Sequence, residues 1–358
     1  MVLAMRRITK EINIGSVVIG GNNKIAVQSM TNTKTRDIDA TLLQIEQLKR
    51  VNCDIVRLAV FCQEDANALS KIVSSCSLPI VADIHFNAQF ALKSIESGVA
   101  KIRINPGNFP KESLNYIIDS AKEHNTAIRI GVNSGSLDKD LLSKGLSQQE
   151  VFLSGISQYI DMFEQRKFTK LVLSAKSTSV SQTIAVNCAL SQKFDYPLHI
   201  GLTEAGVMQY GIVKNTLAIS TLLSQGIGDT IRVSLTENPI EEVIVARNIL
   251  QECGYPQQKV DLVSCPMCGR CQIDLVSVAK QVYDYVKNIN VQLKIAVMGC
   301  EVNGPGECAS AELGLAGGRQ ISFFKKGVIY KKVDKKDAVK LFLQEIDKLV
   351  IEKQLNSK

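Results

Sequence analysis

Tryptophan is absent from this sequence, and aromatic residues make up only 5% of its 358 positions. Proteins that bind nucleic acid usually combine a basic face with aromatic side chains on which bases stack. A net charge of +7 with so few aromatic residues therefore argues against a nucleic-acid partner. The chain also lacks an apolar run near the roughly 18 residues of a membrane span, and its first residues lack the apolar core of a secretory signal. We expect a cytoplasmic protein with no membrane partner.

Disulfides are not expected either, although the chain has ten cysteines, because the cytoplasm keeps thiols reduced. Five of them lie in apolar or helical segments and are expected to be small buried residues. The other five lie in two clusters, SCPMCGRCQID (264–274) and GCEVNGPGEC (299–308), where a metal centre is the better interpretation. The five scattered residues are Cys53, Cys62, Cys76, Cys188 and Cys253.

The first cluster places Cys265 and Cys268 at a spacing that suits either zinc or an iron–sulfur cluster. Cys271 extends it to C-x2-C-x2-C, which is half of a bacterial ferredoxin motif, but the closing Cys-Pro is not nearby. Spacing alone favours iron–sulfur over zinc. It leaves the third sulfur open among Cys271, Cys300 and Cys308.

Eight short apolar runs alternate with segments of helical period in the first two thirds of the chain. Such alternation predicts parallel strands with crossover helices, and eight units in about 250 residues favour a closed (β/α)8 barrel, a TIM barrel of the α/β class. A doubly wound open sheet is the alternative, but no G-x-G-x-x-G follows the first run. The runs are KIAVQSM (24–30), DIVRLAV (54–60), PIVADIHF (79–86), KIRINPG (101–107), AIRIGVNSG (127–135), KLVLSAKS (170–177), PLHIGLTEAG (197–206) and TIRVSLTEN (230–238).

Two domains are predicted. Residues 1–255 form the barrel, a substrate-binding domain, and a GGNN turn ahead of its first strand predicts a hairpin that closes its bottom. The polar stretch 136–150 is either a lid over the barrel mouth or an ordinary surface helix. Residues 256–358 form a small α/β domain in which two strands lead directly into the cysteine clusters.

Four of the eight runs carry an arginine between apolar residues. A single such arginine could point outward and lie along a helix. Four repeats favour a shared cause, convergence on the C-terminal face, where TIM barrels hold their ligands. With Lys176 on the sixth run, these cations exceed what a monophosphate needs, and guanidinium groups bind phosphate in bidentate fashion. We therefore predict a small bisphosphorylated ligand for Arg57, Arg103, Arg129 and Arg232.

Polar residues at the ends of the same runs are predicted to share this site. Glu204 among cations is either a general acid or base, or a carboxylate that orients an arginine. His85 is either a ligand donor or a hydrogen-bonded residue at a strand end. The full set is Asp83, His85, Asn105, Asn133, Ser134, Thr203, Glu204 and Ser234.

Seven motifs occur in order between about residue 24 and residue 307. Each is weak alone, but the ordered set is highly specific. Through it the sequence resembles the IspG/GcpE family, the 4-hydroxy-3-methylbut-2-enyl diphosphate synthases of the methylerythritol phosphate route to isoprenoids, in their two-domain bacterial form. The motifs are AVQSMTNTKTRD, ADIHFN, RINPGN, GLTEAG, IRVSLTENP, SCPMCGR and GCEVNGPGE.

The resemblance implies an iron–sulfur oxidoreductase that opens the ring of 2-C-methyl-D-erythritol 2,4-cyclodiphosphate reductively, with loss of water. It implies flavodoxin or ferredoxin as the electron donor and a homodimer. It also implies a [4Fe–4S] cluster held by Cys265, Cys268, Cys300 and Glu307, and Glu204 as the catalytic acid. The implied diphosphate contacts are Arg57, Arg103, Arg129, Asn133, Lys176 and Arg232, and Asn303 of the NGPGE motif joins the predicted substrate-binding residues.

Some features stay open. Cys271 and Cys308 are extra thiols beside the implied ligands, and either could replace Glu307. The lysine-rich run 325–336 is either a solvated face or a docking site for an acidic electron donor. The alternative functions are a pterin-binding type of barrel synthase, which needs no redox cluster, and a zinc-stabilised binding protein with a basic surface.

Overall fold

The structure is a computed structural model that describes residues 5–105, 108–133, 147–255, 257, 259–302 and 304–355, with only the backbone of residues 133, 148, 304, 305 and 307. The chain divides into two compact units, residues 1–255 and 256–358. No helix among the described residues is long and apolar enough to cross a membrane. The polar stretch 136–150 lies largely outside the described residues.

The first unit is the predicted barrel. Its eight strands are all parallel and follow one another around the sheet in chain order. The ring is closed by a parallel bridge between Leu173 and Leu198, supported by a hydrogen bond from the Leu173 amide to the Pro197 carbonyl. The strands are β3 (Ala26–Met30), β4 (Ile55–Val60), β5 (Ile80–Ile84), β6 (Lys101–Ile104), β7 (Ala127–Asn133), β8 (Leu171–Lys176), β9 (His199–Ile200) and β10 (Thr230–Ile231).

Helices cover the outside of the barrel, and their apolar faces pack on the outward side chains of the strands. Several begin at a capping side chain: Asp37 accepts from the Ala40 amide, and Ser147 and Glu150 form a capping box. The helices are α1 (Ile38–Arg50), α2 (Gln63–Ser75), α3 (Ala88–Glu96), α4 (Lys111–Glu123), α5 (Gln148–Gln165), α6 (Val180–Lys193), α7 (Met208–Ser224) and α8 (Pro239–Glu252).

The predicted N-terminal hairpin forms and closes the bottom of the barrel. It consists of β1 (Ile12–Ile14) and β2 (Val17–Ile19). Its isoleucines pack on the lowest inward side chains of the barrel, Ala26, Ile55, Val81, Ala127 and Val172.

Toward the barrel mouth, the interior side chains become increasingly polar. When eight strands close into a barrel, each strand is shifted along its neighbour by about one residue. The inward side chains therefore form layers of four, and each layer comes from alternate strands. The strand registers place Ile55, Lys101, Val172 and Thr230 in one layer, and Gln28, Val81, Arg129 and His199 in the next. Arg57, Arg103, Ser174 and Arg232 form the layer above. TIM barrels usually fill these layers with branched apolar residues.

Two details differ from the expectations. The seventh and eighth strands have two residues each. The seventh ends where Gly201 leaves the extended conformation at φ 146°. Of the five scattered cysteines, only Cys53 and Cys253 are buried, and the other three are half-buried in helix caps or helix surfaces.

The second unit is a five-stranded mixed sheet with helices on it. Strands β11 (Val260–Ser264), β12 (Leu293–Met298) and β13 (Leu313–Ala316) are parallel, and β14 (Ile321–Lys325) and β15 (Val328–Val333) continue the sheet antiparallel. Helices α9 (Leu275–Val286) and α11 (Lys335–Leu355) cover one face, and α10 (Gly304–Ala309) lies on the other.

Candidate active site

A polar cavity of about 160 Å³ opens at the C-terminal end of the barrel strands. Nine of the predicted substrate-binding residues line it, and they come from seven strands or the turns that follow them. Gly131, Ser174 and Leu202 also line it and were not predicted. The nine are Arg57, Asp83, His85, Arg103, Arg129, Lys176, Thr203, Arg232 and Ser234. The Asn133 side chain, Ser134 and Asn303 lie outside the described part of the structure.

Asp83 organises one side of the cavity. Its carboxylate lies 3.7 Å from Arg57 Nη2, 3.5 Å from Arg103 Nη1 and 3.3 Å from His85 Nε2. Burial alone would raise the pKa of Asp83, but Arg57 and the hydrogen bond from His85 outweigh it, so this pKa lies below its ordinary value. Asp83 is therefore ionised at neutral pH and holds two guanidinium groups toward the cavity.

Glu242 has the corresponding role on the other side and was missed in the sequence. It lies in the first turn of α8, 95% buried, with its Oε2 3.6 Å from Arg232 Nε. Ser29 Oγ and the Leu235 amide donate to its two oxygens. The available signal was a glutamate in the first turn after SLTENP, directly behind a strand that carries an arginine.

Two cations have weaker compensation. Arg129 is 2% exposed, and its Nε and Nη1 have no hydrogen-bond partner among the described residues. Lys176 is also buried, and burial together with Arg232 lowers its pKa well below the ordinary value. Burial likewise lowers the pKa of Arg57 to about 10, which leaves that guanidinium charged at neutral pH. An anionic ligand would stabilise all three charged forms.

Two glycines leave room for groups at the wall of the cavity. A Cβ atom on Gly131 would lie 2.6 Å from Arg103 Nε. A Cβ atom on Gly201 would lie 2.1 Å from the Arg232 carbonyl oxygen and 3.2 Å from Lys176 Nζ. A side chain at Gly131 would therefore collide with the Arg103 guanidinium, and one at Gly201 with the Arg232 backbone.

Glu204 and Asn105 lie beside the cavity lining. Glu204 is exposed and has a φ of 52°, a left-handed conformation that non-glycine residues rarely adopt. It follows Thr203, whose amide donates to the Ser177 carbonyl at 3.3 Å. Asn105 is buried at the end of β6, and the Asn108 amide donates to its carbonyl.

The cysteine clusters follow two neighbouring parallel strands of the second unit. Cys265 comes directly after β11 and Cys300 two residues after β12, so both leave the same edge of the sheet. The Gly299 amide donates to Cys265 Sγ at 3.2 Å. Cys268 is exposed on the loop between β11 and α9, and α10, which contains Glu307, begins four residues after Cys300.

The two extra thiols have separate surroundings. Cys271 Sγ lies against Gly299, where a Cβ atom would come within 2.7 Å of it, and donates to the Ile273 carbonyl at 3.1 Å. Cys308 is fully buried in the small apolar cluster of Met298, Ala316 and Phe324.

These thiols suit a soft metal centre in their chemistry. Thiolates are the usual ligands of iron–sulfur clusters, and an amide that donates to a cysteine sulfur is a common feature around them. Among the side chains that are described, no three from His, Cys, Asp or Glu are close enough together to bind a metal ion. The side chain of Glu307, the implied fourth ligand, lies outside that set.

Comparison with known proteins identifies the family. A model described as the GcpE TIM-barrel domain matches residues 9–247, and one described as the GcpE protein C-terminal domain matches residues 261–348. The chain belongs to the GcpE family. This confirms the resemblance predicted from the seven motifs.

Curated GcpE relatives match nearly the whole chain. A 4-hydroxy-3-methylbut-2-en-1-yl diphosphate synthase (flavodoxin) of Caldanaerobacter subterraneus subsp. tengcongensis is 46% identical over 354 residues, which cover 98% of this chain and 99% of the relative. The protein of the same name from Clostridium acetobutylicum is 47% identical over 349 residues, covering 96% and 100%.

A solved structure shares only the barrel fold. Dihydropteroate synthase from Stenotrophomonas maltophilia is 12% identical, with a TM-score of 0.51, over 69% of this chain and 98% of that one. The pterin-binding alternative thus has a barrel of similar fold, but the family assignment of both units does not favour it.

Proposed function

We propose that this chain is a flavodoxin-dependent 4-hydroxy-3-methylbut-2-en-1-yl diphosphate synthase, an iron–sulfur oxidoreductase of isoprenoid biosynthesis. Its reaction converts 2-C-methyl-D-erythritol 2,4-cyclodiphosphate to the linear 4-hydroxy-3-methylbut-2-enyl diphosphate. The conversion consumes two electrons and two protons, breaks the ring carbon–oxygen bond to phosphate, and releases one water. The names of close relatives across the full length support this activity.

One observation carries the substrate class: the cationic cavity at the barrel mouth. Five cations line it, and among the described residues Asp83 is the only carboxylate in the lining. An anion with two phosphate groups supplies enough negative charge for this excess, and its oxygens accept in-plane pairs of guanidinium donors. In our proposal Arg57, Arg103, Arg129, Lys176 and Arg232 hold the diphosphate, with Thr203 and Ser234 as neutral donors.

The polar residues of the cavity then have distinct tasks. Asp83 keeps Arg57 and Arg103 oriented before the ligand binds, because its carboxylate forms ion pairs with both guanidinium groups. Glu242 does the same for Arg232 from behind. His85, which is half-exposed at the rim, contacts both Asp83 and the ligand. Asn133, Ser134 and Asn303 remain predicted contacts, and Glu204 remains the predicted acid.

A [4Fe–4S] cluster fits the second unit in the chemistry of its donors. Cys265, Cys268 and Cys300 would hold three of its irons, and Glu307 would hold the fourth. When bound, the cluster supplies the substrate with electrons one at a time. A carboxylate is a hard and weak partner for iron beside three soft thiolates, so Glu307 is the ligand that gives way most easily. We also propose a cytoplasmic homodimer, as the family resemblance implies.

Anaerobic purification followed by metal and sulfide analysis tests this proposal. We expect about four irons and four sulfides per chain, as one [4Fe–4S] cluster requires. With reduced flavodoxin, the protein should convert the cyclic diphosphate to the linear product. Zinc without sulfide would instead support the zinc-stabilised binding protein.

A further inference from the structure

A dense group of lysines lies on the second unit, in the β14–β15 hairpin and the start of α11. Lys325, Lys326, Lys332, Lys335 and Lys336 are all exposed, and we call them the lysine surface. The same stretch contains only two carboxylates, Asp334 and Asp337. The lysine surface therefore has a net positive charge, while the rest of the unit has mixed signs.

The sheet register places one end of the lysine surface beside the cysteine clusters. Lys332 and the start of α11 lie at that edge, whereas Lys325 and Lys326 lie in the β14–β15 turn at the opposite edge of the sheet. Strand β15 runs parallel to β11 and β12, so its end lies at the same edge of the sheet as Cys265 and Cys300. Lys332 pairs with Ser322, Ser322 with Ala316, and Ala316 with Met298. Paired residues on neighbouring strands point to the same face of the sheet. Beyond Met298, the row continues to β11, where Cys265 packs against the apolar cluster that contains Met298.

The distance along this row is short. Four strand spacings of about 4.8 Å separate the Cα atoms of Lys332 and Cys265 by roughly 19 Å. A protein that covers Lys332 would therefore lie close to the cysteine loop, since a small interface is wider than this distance.

A chain of three hydrogen bonds joins the lysine surface to the cysteine loop. Lys335 Nζ donates to the Gln272 carbonyl at 2.8 Å, and the Gln272 amide donates to the Gly299 carbonyl at 2.8 Å. The Gly299 amide in turn donates to Cys265 Sγ at 3.2 Å. The first residues of α11 are thus held against the loop that contains the predicted cluster ligands.

Lys331 has a structural role and is not part of this surface. Its Nζ lies 3.6 Å from the buried carboxylate of Glu345 and 6.0 Å from the centroid of the Phe323 ring. Its charge is used inside the unit, while Lys332 and Lys336 extend into solvent.

An apolar strip accompanies the lysines. Val328, Ile329 and Tyr330 are 68%, 45% and 39% exposed on β15, which pairs on one side only with β14 among the described strands. A small apolar centre with a charged rim is typical of a transient protein interface.

We propose that the lysine surface docks the acidic protein that delivers electrons, one at a time, to the cysteine-bound centre. The proposal rests on the proposed function, which requires such a donor. Opposite charges bring the two proteins together quickly and fix their orientation, and the apolar strip completes the contact. The observation that carries it is the joining of exposed lysines to the cysteine loop through Lys335.

The test reverses two lysines that have no structural contact described for them. The variant is Lys332→Glu with Lys336→Glu. The control is Lys49→Glu with Lys71→Glu, which makes the same change of charge at exposed positions on α1 and α2. Binding of oxidised flavodoxin is titrated, and turnover is measured with reduced flavodoxin and with reduced methyl viologen, a small electron donor that needs no docking site.

We expect the lysine-surface variant to raise both the Kd and the KM for flavodoxin about tenfold or more at low salt. Its rate with methyl viologen should match the wild type, and the control should bind flavodoxin as the wild type does. The difference should shrink at high salt, because the Debye length falls from about 30 Å at 0.01 M to about 8 Å at 0.15 M.

Equal flavodoxin binding by the variant, the control and the wild type at low salt would overturn the proposal. Equal weakening in the variant and the control would also overturn it, since overall charge would then explain the effect. If the wild type turns over no substrate with either donor, the proposed function fails. The binding titration would then still decide whether the surface docks flavodoxin.

Discussion

The barrel mouth and the cysteine edge of the second unit both lie where parallel strands end, but they hold opposite kinds of groups. The barrel gathers buried cations, of which Arg129 is 2% exposed, around a small polar cavity. The second unit keeps its cations outside, on the lysine surface, and places thiols at the strand ends. Buried guanidinium groups suit a hard, anionic substrate, and thiols suit a soft metal. The same sheet geometry therefore serves two kinds of chemistry.

The difference also concerns energy. In the barrel, charge is buried with incomplete compensation, which costs free energy until an anion binds. In the second unit, the exposed lysines lose little hydration, and Cys308 and Met298 form an ordinary apolar cluster. The barrel should therefore respond strongly to ligand and pH, whereas the second unit should respond to the loss of its sulfur ligands.

The largest expected effect is the loss of a ligand sulfur. Cys300→Ser should leave little iron or sulfide on the protein and no activity, because serine is a hard and poor ligand for iron. Cys271→Ser, the matched control from the neighbouring loop, should keep the cluster and most activity. Iron and sulfide content after anaerobic purification measures both. Loss of the cluster in Cys271→Ser with retention in Cys300→Ser would show that the ligand assignment is wrong.

The second largest effect is a loss of substrate binding at the barrel mouth, with the cluster left intact. Arg129→Met should lower kcat/KM for the cyclic diphosphate by roughly tenfold to a hundredfold, as expected for loss of a charge-assisted contact worth about 1.5–3 kcal/mol. Iron content should stay at the wild-type value. The control is Arg166→Met, which removes an arginine at the end of α5, on the outside of the barrel, where it pairs with Asp119. An unchanged kcat/KM at low substrate would remove Arg129 from the proposed site.

The smallest effect concerns Lys101, which lies in the layer below Arg129. Its Nζ is fully buried and has no hydrogen-bond partner among the described residues. Burial, with Arg129 and Arg57 above it, lowers the pKa of Lys101 well below its ordinary value. Lys101→Met should therefore stabilise the barrel by about 1–3 kcal/mol at neutral pH, because it removes an unpaired buried amine.

The sign of the pH dependence follows from linkage. The pKa of Lys101 is lower in the folded barrel than in the unfolded chain. Lys101 therefore lowers the free energy of unfolding most at low pH, where it must stay protonated in both states. This destabilisation decreases as the pH rises toward about 10.4, the pKa of an unfolded lysine. The gain from Lys101→Met, measured as a shift in thermal midpoint, should thus be larger at pH 6 than at pH 9. Lys122→Met, at an exposed position of α4, should show no such trend. A gain that grows with pH would contradict a neutral, buried Lys101.

Much of the fold could be predicted because it depends on local pattern. The eight runs became eight parallel strands, since β-branched apolar segments that alternate with amphipathic helices have few other ways to bury their faces. Arg57, Arg103 and Arg232 were recognisable because an arginine in an apolar strand needs a special reason. The same argument did not extend to Lys101, which begins its run and resembled a strand-end lysine.

The sequence by itself determined the kind of side chain available at each strand end: arginines in the barrel and cysteines after β11 and β12. Only the tertiary structure decided which of them meet. Barrel closure and the one-residue displacement of each strand put Arg57, Arg103 and Arg232 in one layer. They also brought Ser29, from the first barrel strand, to Glu242 behind Arg232. They also left Glu204 exposed beside the cavity. Such meetings depend on register between segments far apart in the chain, which no local pattern encodes.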